Sequence, residues 1–366
     1  MDQVEKMDLN LPAKPSLYGI NIKEAAEFFK SQGLPTYRAK QLLDWLYKKH
    51  ITAVSDAKNI PGEVQKKLAA EFEMPSLELV EKNSSAEGES VKFLFRTKDG
   101  RLIESVLIEQ QGRRTLCLST QVGCKIGCVF CASGKGKFGR NLSAGEIVEQ
   151  AAHVERERKA ELTNVVYMGM GEPLDNFEAT MKSLEILQAS WGFGIGARRI
   201  TVSTSGITPK IIEFVNRSEG RVRLSVSLHA GNEEKRTALV PINKKYSLKE
   251  LVAALNEIHH KLKRDITFEY TVLAGINDSV RDAAEVARIA APLRAKVNLI
   301  PYNPIFGEEF KTPSKDKIEA FARCLEEKGI RVIVRQTAGR DINAACGQLR
   351  LLRENQPVQD ENRSGV

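Results

Sequence analysis

The chain has 366 residues, of which 42% are hydrophobic, with 55 lysines and arginines against 47 acidic residues. This composition excludes wholesale disorder and collagen-like repeats, and no apolar run approaches the ~18–20 residues that span a bilayer. Because the opening residues form no secretory signal, we expect a cytoplasmic protein with no membrane partner. The net charge of +8 suits a polyanionic partner, but the solvated surface of an ordinary basic enzyme gives the same charge.

The N-terminal part predicts a small helical accessory domain behind a polar leader. Residues 1–20 are mostly polar and are expected to form a disordered leader. Residues 21–75 predict short helices, because apolar residues such as Leu42, Trp45 and Leu46 recur at a helical spacing. Four cationic side chains give this domain a basic face: Arg38, Lys40, Lys48 and Lys49. That face either contacts the phosphates of a nucleic acid or is simply solvated.

The pattern changes from helices to strands after this domain. Within residues 76–112, two strand-like runs at 91–96 and 102–108 are joined by a turn signal, which predicts a β-hairpin extension. From residue 113 to about 350, strands and helices alternate, which predicts an α/β fold with a parallel sheet, flat or curled into a barrel. Functional residues then collect at the carboxyl ends of the strands. The polar tail, residues 351–366, is expected to be disordered.

Six cysteines without a secretory signal favour metal or catalytic roles over a disulfide framework. Three of them, Cys124, Cys128 and Cys131, have C-x3-C-x2-C spacing on one loop after a predicted strand. Iron–sulfur clusters are usually held by four cysteine thiolates, so three leave one iron with an open position for a ligand. A structural zinc is the alternative, but it needs four closed ligands, and no second Cys-x2-Cys pair follows.

The cysteine loop, with Phe130 before its last cysteine, resembles the signature of radical S-adenosylmethionine (SAM) enzymes. Residues 168–173, Met-Gly-Met-Gly-Glu-Pro, are similar to the motif that cradles the amino group of SAM in that superfamily. The resemblance implies a partial TIM-type (β/α)6 barrel whose loop cysteines bind one 4Fe–4S cluster. It also implies that Gly171 and Glu172 contact SAM, since glycine lets the backbone approach a ligand and a carboxylate accepts from an ammonium.

Further motifs resemble the RlmN/Cfr family of RNA methyltransferases. They are residues 120–124, 141–143, 203–206, 227–230, 240–243, 298–303 and 341–349. The form of the Met-Gly-Met-Gly-Glu-Pro motif resembles the RlmN branch, which implies methylation of carbon 2 of adenine in 23S rRNA, at the peptidyl transferase centre, and in tRNA next to the anticodon. The Cfr branch methylates carbon 8 of the same rRNA adenosine and confers antibiotic resistance. Physical reasoning from the residues leaves this choice open.

The implied reaction uses two molecules of SAM. Carbon 2 of adenine lies between two ring nitrogens and is too electron-poor to displace the methyl group of SAM, which explains the need for radical chemistry. The resemblance implies that one SAM methylates Cys346 and that a second yields a 5′-deoxyadenosyl radical, which removes hydrogen from that methyl group. The resulting methylene radical adds to the adenine.

Two more residues acquire roles from the same resemblance. Cys117 attacks the sulfur of Cys346 as a thiolate and releases the product, and Glu104 takes the carbon-bound proton. The alternatives are ordinary ones, because a cysteine in a strand is usually a small buried hydrophobe and a glutamate in a hairpin usually faces water. Cys324, in a predicted helix, is expected to be structural.

The resemblance also supplies further cofactor contacts and partners. The remaining implied SAM contacts are Ser203, Ser227, Leu228, His229 and Asn303, each at or just after the end of a predicted strand. For His229 alone, a satisfied core histidine is the ordinary interpretation. The implied partners are 23S rRNA, tRNA and an electron donor such as flavodoxin or ferredoxin. The chain itself is expected to be a monomer. Another radical SAM activity and a zinc-stabilised RNA-binding protein without enzyme activity remain as alternatives.

Overall fold

A computed structural model describes residues 14–305, 307, 309–335, 339 and 341–349 of the chain. Most of the expected leader and all of the expected polar tail, residues 351–366, lie outside these ranges. Among the helices of the described ranges, none has the length and apolar character needed to cross a bilayer.

The N-terminal helical domain begins earlier than the sequence pattern predicts. Leu17–Gly19 forms a helical turn that is buried, and the Tyr47 hydroxyl donates to the Ile20 carbonyl at 2.7 Å. The expectation of a disordered leader is therefore wrong for residues 17–20. The leader as a whole is mostly polar in sequence, so its few apolar residues form no recognisable helical pattern. In the structure, the apolar side chains of residues 17–20 pack into the core of the domain.

Three helices form this domain: α1 (Ile22–Ser31), α2 (Tyr37–Tyr47) and α3 (Gly62–Glu71). The first helix begins at a capping box, in which the Asn21 side chain accepts from the backbone N–H of Glu24 at 3.0 Å. Val148, Ala152 and Ile186, from two helices of the main domain, belong to the same buried apolar cluster. The accessory domain is therefore packed directly on the main domain.

An antiparallel meander follows, made of β1 (Leu77–Ser84), β2 (Ser90–Thr97) and β3 (Leu102–Gln110). The predicted hairpin corresponds to β2 and β3, and β1 is an additional strand. Its sequence lacks a regular apolar alternation, because it forms the edge of the sheet and is only partly buried. β3 also pairs antiparallel with β4 (Arg113–Cys117), so the meander and the main sheet are continuous.

Strands and helices alternate after β4. Two short strands, β5 (Gln121–Val122) and β6 (Arg140–Asn141), pair with each other. The longer strands are β7 (Asn164–Tyr167), β8 (Ile200–Thr204), β9 (Arg223–Ser227), β10 (Thr267–Val272), β11 (Lys296–Pro301) and β12 (Val332–Val334). The helices are α4 (Ala132–Lys135), α5 (Ala144–Arg158), α6 (Phe177–Gln188), α7 (Thr208–Arg217), α8 (Glu233–Leu239), α9 (Leu248–Ile258), α10 (Val280–Ala290) and α11 (Lys315–Glu326).

The main sheet is a partial barrel. β4 and the strands from β7 to β12 pair in parallel and in chain order. A doubly wound sheet reverses its strand order at a switch point, whereas this order continues in one direction, as it does in a barrel. Within the described residues, β1 and β12 are the outer edges of the sheet and do not pair with each other. The expected partial TIM-type barrel is confirmed.

Candidate active site

Two adjoining cavities lie against the barrel strands. The inner cavity, of about 170 Å³, is lined by the cysteine loop and by residues near the carboxyl ends of β7, β8 and β9. The outer cavity, of about 410 Å³, is lined by β3 and β4, by β12 and by residues 344–349. One wall is shared by both and is lined by Cys131, Met168, Gly169, Ile300, Arg335, Cys346 and Gly347. A group in this shared wall is accessible from both cavities.

The three cysteines of the predicted cluster loop all line the inner cavity. They are Cys124, Cys128 and Cys131, and the Cys131 N–H donates to the Cys128 carbonyl at 3.1 Å. Burial raises the pKa of Cys124 to about 12 and holds that of Cys128 well above its usual value. Both are therefore thiols until a metal replaces their protons.

The arrangement of the three thiols distinguishes between the two expected kinds of metal centre. Within the described ranges, no three His, Cys, Asp or Glu side chains converge on one point that suits a single ion. A cluster presents several irons, and each of them takes its own thiolate, so its ligands face a shared space. Soft thiols are the ligands that iron–sulfur clusters use. Three thiols around one cavity therefore fit the implied cluster.

Glu172 is a buried acceptor in the inner cavity. Its Oε2 accepts from the backbone N–H and the hydroxyl of Ser205, both at 2.7 Å, and its Oε1 accepts from the Leu174 N–H at 3.0 Å. Burial raises the pKa of Glu172, and the hydrogen bonds from Ser205 oppose this rise.

The preceding Gly171 has a φ of +100°, and a Cβ there would lie 2.5 Å from Cβ of Gln121. Only glycine lets the backbone pass here.

His229 lines the same cavity as a neutral ring. Its Nδ1 accepts from the Thr271 N–H at 3.0 Å, which assigns the ring proton to Nε2. Burial lowers the pKa of His229 to about 3. The ring also packs against Phe130, with 4.6 Å between the ring centroids. His229 is thus both a satisfied core histidine and a residue that faces the cofactor cavity.

The other implied SAM contacts do not all meet in one place. Ser203 and Ser227, near the ends of β8 and β9, line the inner cavity. Leu228 is fully buried and is not among the residues lining either cavity. Asn303 lines the outer cavity instead. The structure therefore brings only part of the implied set to the inner cavity.

Residues 341–349 carry Cys346 into the shared wall. The Asn303 side chain donates to the Cys346 carbonyl at 3.1 Å, and the Ala132 N–H donates to the Gly347 carbonyl at 2.8 Å. Ala132 directly follows the last cysteine of the cysteine loop. The fold thus fastens Cys346 to that loop on one side and to the segment after β11 on the other.

Cys117 faces the outer cavity from the end of β4, opposite Val106 of β3. Burial, and after it the neighbouring Cys346, raises the pKa of the Cys117 thiol to about 12. Cys117 is therefore a thiol at neutral pH, and the expected attack requires that its proton leave.

Cys324 is buried in α11 and lines neither cavity, as expected of a structural residue.

Glu104 does not face water, so the ordinary interpretation of a hairpin glutamate is wrong here. It is 4% exposed, and its carboxylate lies 3.1 Å from the Lys92 ammonium. It lines neither cavity itself, but it shares a face of β3 with Val106 and Ile108, which line the outer cavity. The reason for its burial is the neighbouring strand β2, which supplies the counter-ion.

Comparisons with known proteins place this site in a family. Residues 16–74 match the ribosomal RNA large subunit methyltransferase N-terminal domain, and residues 118–287 match the radical SAM superfamily. The probable dual-specificity RNA methyltransferase RlmN of Thermotoga neapolitana is 45% identical over 340 residues, which cover 93% of this chain and 98% of that protein. The chain belongs to the RlmN family. The protein of the same name from Listeria welshimeri is 43% identical over 345 residues, or 92% of this chain and 94% of that one.

A solved structure supports the same assignment. The crystal structure of a radical SAM methyltransferase from Sphaerobacter thermophilus has a TM-score of 0.88 and 43% identity, and it covers 92% of this chain and 99% of that chain. This RlmN-family chain is therefore a radical SAM methyltransferase, as the resemblance implied. The N-terminal family match also begins at residue 16, in agreement with the early start of the helical domain.

Sequence reasoning missed two charged residues that line the cavities of this RlmN-family chain, Glu269 and Arg335, and one that pairs with Glu104 beside them, Lys92. Arg335 directly follows β12 and lies in the shared wall, where the neighbouring Cys346 raises its pKa. Glu269 of β10 lines the inner cavity and accepts from the Ser225 hydroxyl at 3.0 Å. A signal existed for Glu269, since a lone carboxylate interrupts an otherwise uncharged strand. Lys92 and Arg335 carried no such signal.

Proposed function

We propose that this chain methylates carbon 2 of adenine in 23S rRNA and in tRNA, with two molecules of SAM per turnover and a methylated Cys346 as the carrier. The observation that carries this proposal is the position of Cys346 in the wall shared by the two cavities. A methyl carrier has to reach a small cofactor on one side and a nucleobase on the other. A side chain in the shared wall meets both requirements.

The inner cavity is the cofactor site in this proposal. Cys124, Cys128 and Cys131 would hold the cluster, and Glu172 would accept from the amino group of SAM. When bound, these groups supply the methyl group and the carbon radical that an electron-poor ring carbon requires. The chain's own contribution is a cavity in which the acceptor carboxylate is already fixed by hydrogen bonds from Ser205 and Leu174.

The outer cavity suits a nucleobase. Val106, Ile108, Ile333 and Val334 give it apolar walls, and Arg113 adds a cation. Its volume of about 410 Å³ falls within the ~300–1,000 Å³ that is usual for ligand pockets. Apolar walls receive the faces of a planar base, and a cation suits a phosphate. A nucleotide turned out of an RNA loop fits this description.

Glu104 and Cys117 complete the proposed reaction. Glu104 takes the proton from carbon 2, and the unpaired electron of the adduct returns to the cluster that Cys124, Cys128 and Cys131 would hold. The sulfur of Cys117 bonds to the sulfur of Cys346 while the bond from that sulfur to the methylene carbon breaks, which leaves a disulfide. The methylene carbon takes up the Cys117 proton and becomes the methyl group of the freed adenine. Because burial raises the pKa of Cys117 to about 12, its proton leaves as this bond forms. The guanidinium of Arg335, in the shared wall, favours the thiolate.

The basic face of the helical domain would bind RNA phosphates. The face is formed by Arg38, Lys40, Lys48 and Lys49. The Lys49 ammonium lies 3.5 Å from the centroid of the Trp45 ring, and Arg38 donates to the Asn59 carbonyl at 3.0 Å. These contacts fix two of the four cations on the helical domain, with Arg38 half-buried and Lys49 exposed. Phosphate contacts of this kind would position an RNA without reading its bases.

The reaction also needs an electron from outside the chain. We propose a small redox protein such as flavodoxin or ferredoxin as the donor. We further propose that the enzyme works as a monomer in the cytoplasm, where it would meet both rRNA and tRNA.

Nucleoside analysis tests the proposed function. We expect 2-methyladenosine to be absent from the 23S rRNA and tRNA of cells without the gene, to return with the wild-type chain, and not to return with Cys346→Ala. The appearance of 8-methyladenosine instead would identify a Cfr-type activity. Unchanged RNA, together with zinc rather than iron in the purified protein, would favour the RNA-binding alternative.

A further inference from the structure

Strands β2 and β3 bury a pair of opposite charges. The Lys92 ammonium lies 3.1 Å from Oε1 of Glu104, and the two side chains are 13% and 6% exposed. The Lys82–Glu157 pair has the same length but side-chain exposures of 45% and 32%. Burial of one charge without the other is strongly unfavourable, so Lys92 and Glu104 depend on each other in a way that the exposed pair does not.

The strand register places this pair beside the outer cavity. Val106 of β3 pairs with Lys92 on one side and with Cys117 on the other. Residues that lie opposite each other share one face of the sheet, and Glu104 lies two positions before Val106 on that face. Because Val106 and Cys117 line the outer cavity, the charged pair flanks it.

The backbone of Glu104 is fixed by the loop that carries the glycine-rich motif. Its N–H donates to Sδ of Met170 at 3.4 Å. The Ser119 hydroxyl donates to the Glu104 carbonyl at 2.5 Å and accepts from the Met170 N–H at 2.8 Å. Glu104 is thus held through its backbone on the loop after β7 and through its side chain on Lys92.

We propose that Lys92 is a positioning residue, which keeps the Glu104 carboxylate ionised and oriented to accept the proton from carbon 2 of adenine. This inference rests on the proposed function. In the step concerned, the C–H bond breaks, its electron pair stays in the ring, the proton moves to a Glu104 oxygen, and Lys92 keeps its own proton. Removal of a neighbouring positive charge shifts a buried carboxylate toward its neutral form, which does not act as a base. Loss of the Lys92 charge should therefore slow this step alone.

The test uses the full-length, iron-reconstituted protein and RNA substrates with hydrogen or deuterium at carbon 2 of the target adenine. Lys92→Met should produce 5′-deoxyadenosine and methylated Cys346 as the wild type does, but should release methylated RNA about 10–100-fold more slowly. Covalent protein–RNA adduct should accumulate. Because proton removal then limits turnover, deuterium should slow the variant more than the wild type. Lys92→Arg keeps the charge and should restore both release and the wild-type isotope effect.

Two further variants keep the test decisive. Lys82→Met removes the exposed pair of the same length and should behave as the wild type. Lys92→Gln keeps a hydrogen-bond donor without the charge, and it should show the larger isotope effect even if Lys92→Met does not fold. A wild-type isotope effect in the Lys92→Gln protein would overturn the proposal. Weaker RNA binding as the only defect of that protein would also overturn it.

Different results would contradict the proposed function and the role of Lys92. A wild-type protein that makes no 2-methyladenosine overturns the proposed function and the role of Lys92 with it. A wild-type protein that makes 2-methyladenosine, combined with normal release by Lys92→Gln, overturns only the role of Lys92.

Discussion

The inner and outer cavities share a wall but are built in different ways. Outside the shared wall, the inner cavity comes mainly from one short loop and from residues near the ends of successive strands, such as Glu172, Ser203 and Ser227. The outer cavity combines three segments that are far apart in the sequence: β3 with β4, β12, and residues 344–349. The proposed cofactor site thus depends mostly on local sequence and regular topology, whereas the proposed substrate site depends on where the chain returns. Variants in the two cavities should therefore affect different properties of the protein.

The largest effect is expected in the inner cavity. Cys128→Ala should lose its iron–sulfur cluster and all methylation, because each thiolate ligates its own iron. Iron analysis after anaerobic reconstitution measures this. Cys324→Ala, which changes a buried cysteine outside both cavities, should keep the iron. A normal iron content in Cys128→Ala would contradict the assignment of the inner cavity.

A milder change in the same cavity should affect SAM alone. Glu172→Gln removes the charge that accepts the ammonium, so SAM should bind about 10–100-fold more weakly, as expected for a hydrogen bond to a charged group. Titration calorimetry on the iron-reconstituted protein measures the affinity. Glu178→Gln is the control, since this side chain is 74% exposed and pairs with Arg217 on the surface. Equal affinities in both variants would remove Glu172 from the cofactor site.

The walls of the outer cavity should affect RNA but not SAM. Ile333 and Val334 are 50% and 45% exposed, so replacing both by serine should leave stability nearly unchanged. The KM for RNA should rise about tenfold, in line with the ~1–3 kcal/mol of contact with one base. Val280→Ser, at 55% exposure on α10, should leave KM unchanged. A change in SAM affinity instead would mean that the two cavities are not separate in function.

The smallest effect is expected at the helical domain, away from both cavities. Changing its four basic-face residues to glutamine should lower the magnitude of the slope of log K for RNA binding against log salt concentration by roughly 3. The reason is that each lost phosphate contact lowers this magnitude by ~0.7–0.9. Formation of 5′-deoxyadenosine should persist. The matched control changes four cations around another cavity: Arg294, Lys296, Lys328 and Arg331. An equal loss of slope in both variants would mean that the basic face has no special role.

Much of the fold and of the inner cavity is predictable from the sequence, because strand–helix alternation and the spacing of three cysteines are local patterns. The edge strand β1 is not, since partial burial leaves no alternation to detect. The outer cavity is harder still. The pairing register of three strands places Lys92, Val106 and Cys117 on one face of the sheet. The sequence of any one strand does not determine this register. Glu104 is buried beside Lys92, which the neighbouring strand β2 contributes.

The central claim is that Cys346 carries the methyl group between the two cavities and that Cys117 releases it. Cys117→Ala and Cys346→Ala should both be inactive but should fail at different stages. Cys117→Ala should retain RNA covalently under denaturing conditions, whereas Cys346→Ala and the double variant should not.

Mass spectrometry of the nuclease-digested proteins is the most direct measurement. If Cys346 carries the methyl group and Cys117 releases it, an adenosine-bearing Cys346 peptide is expected in the Cys117→Ala protein and none in the other two. Methylated Cys346 without any adduct in the Cys117→Ala protein would contradict it.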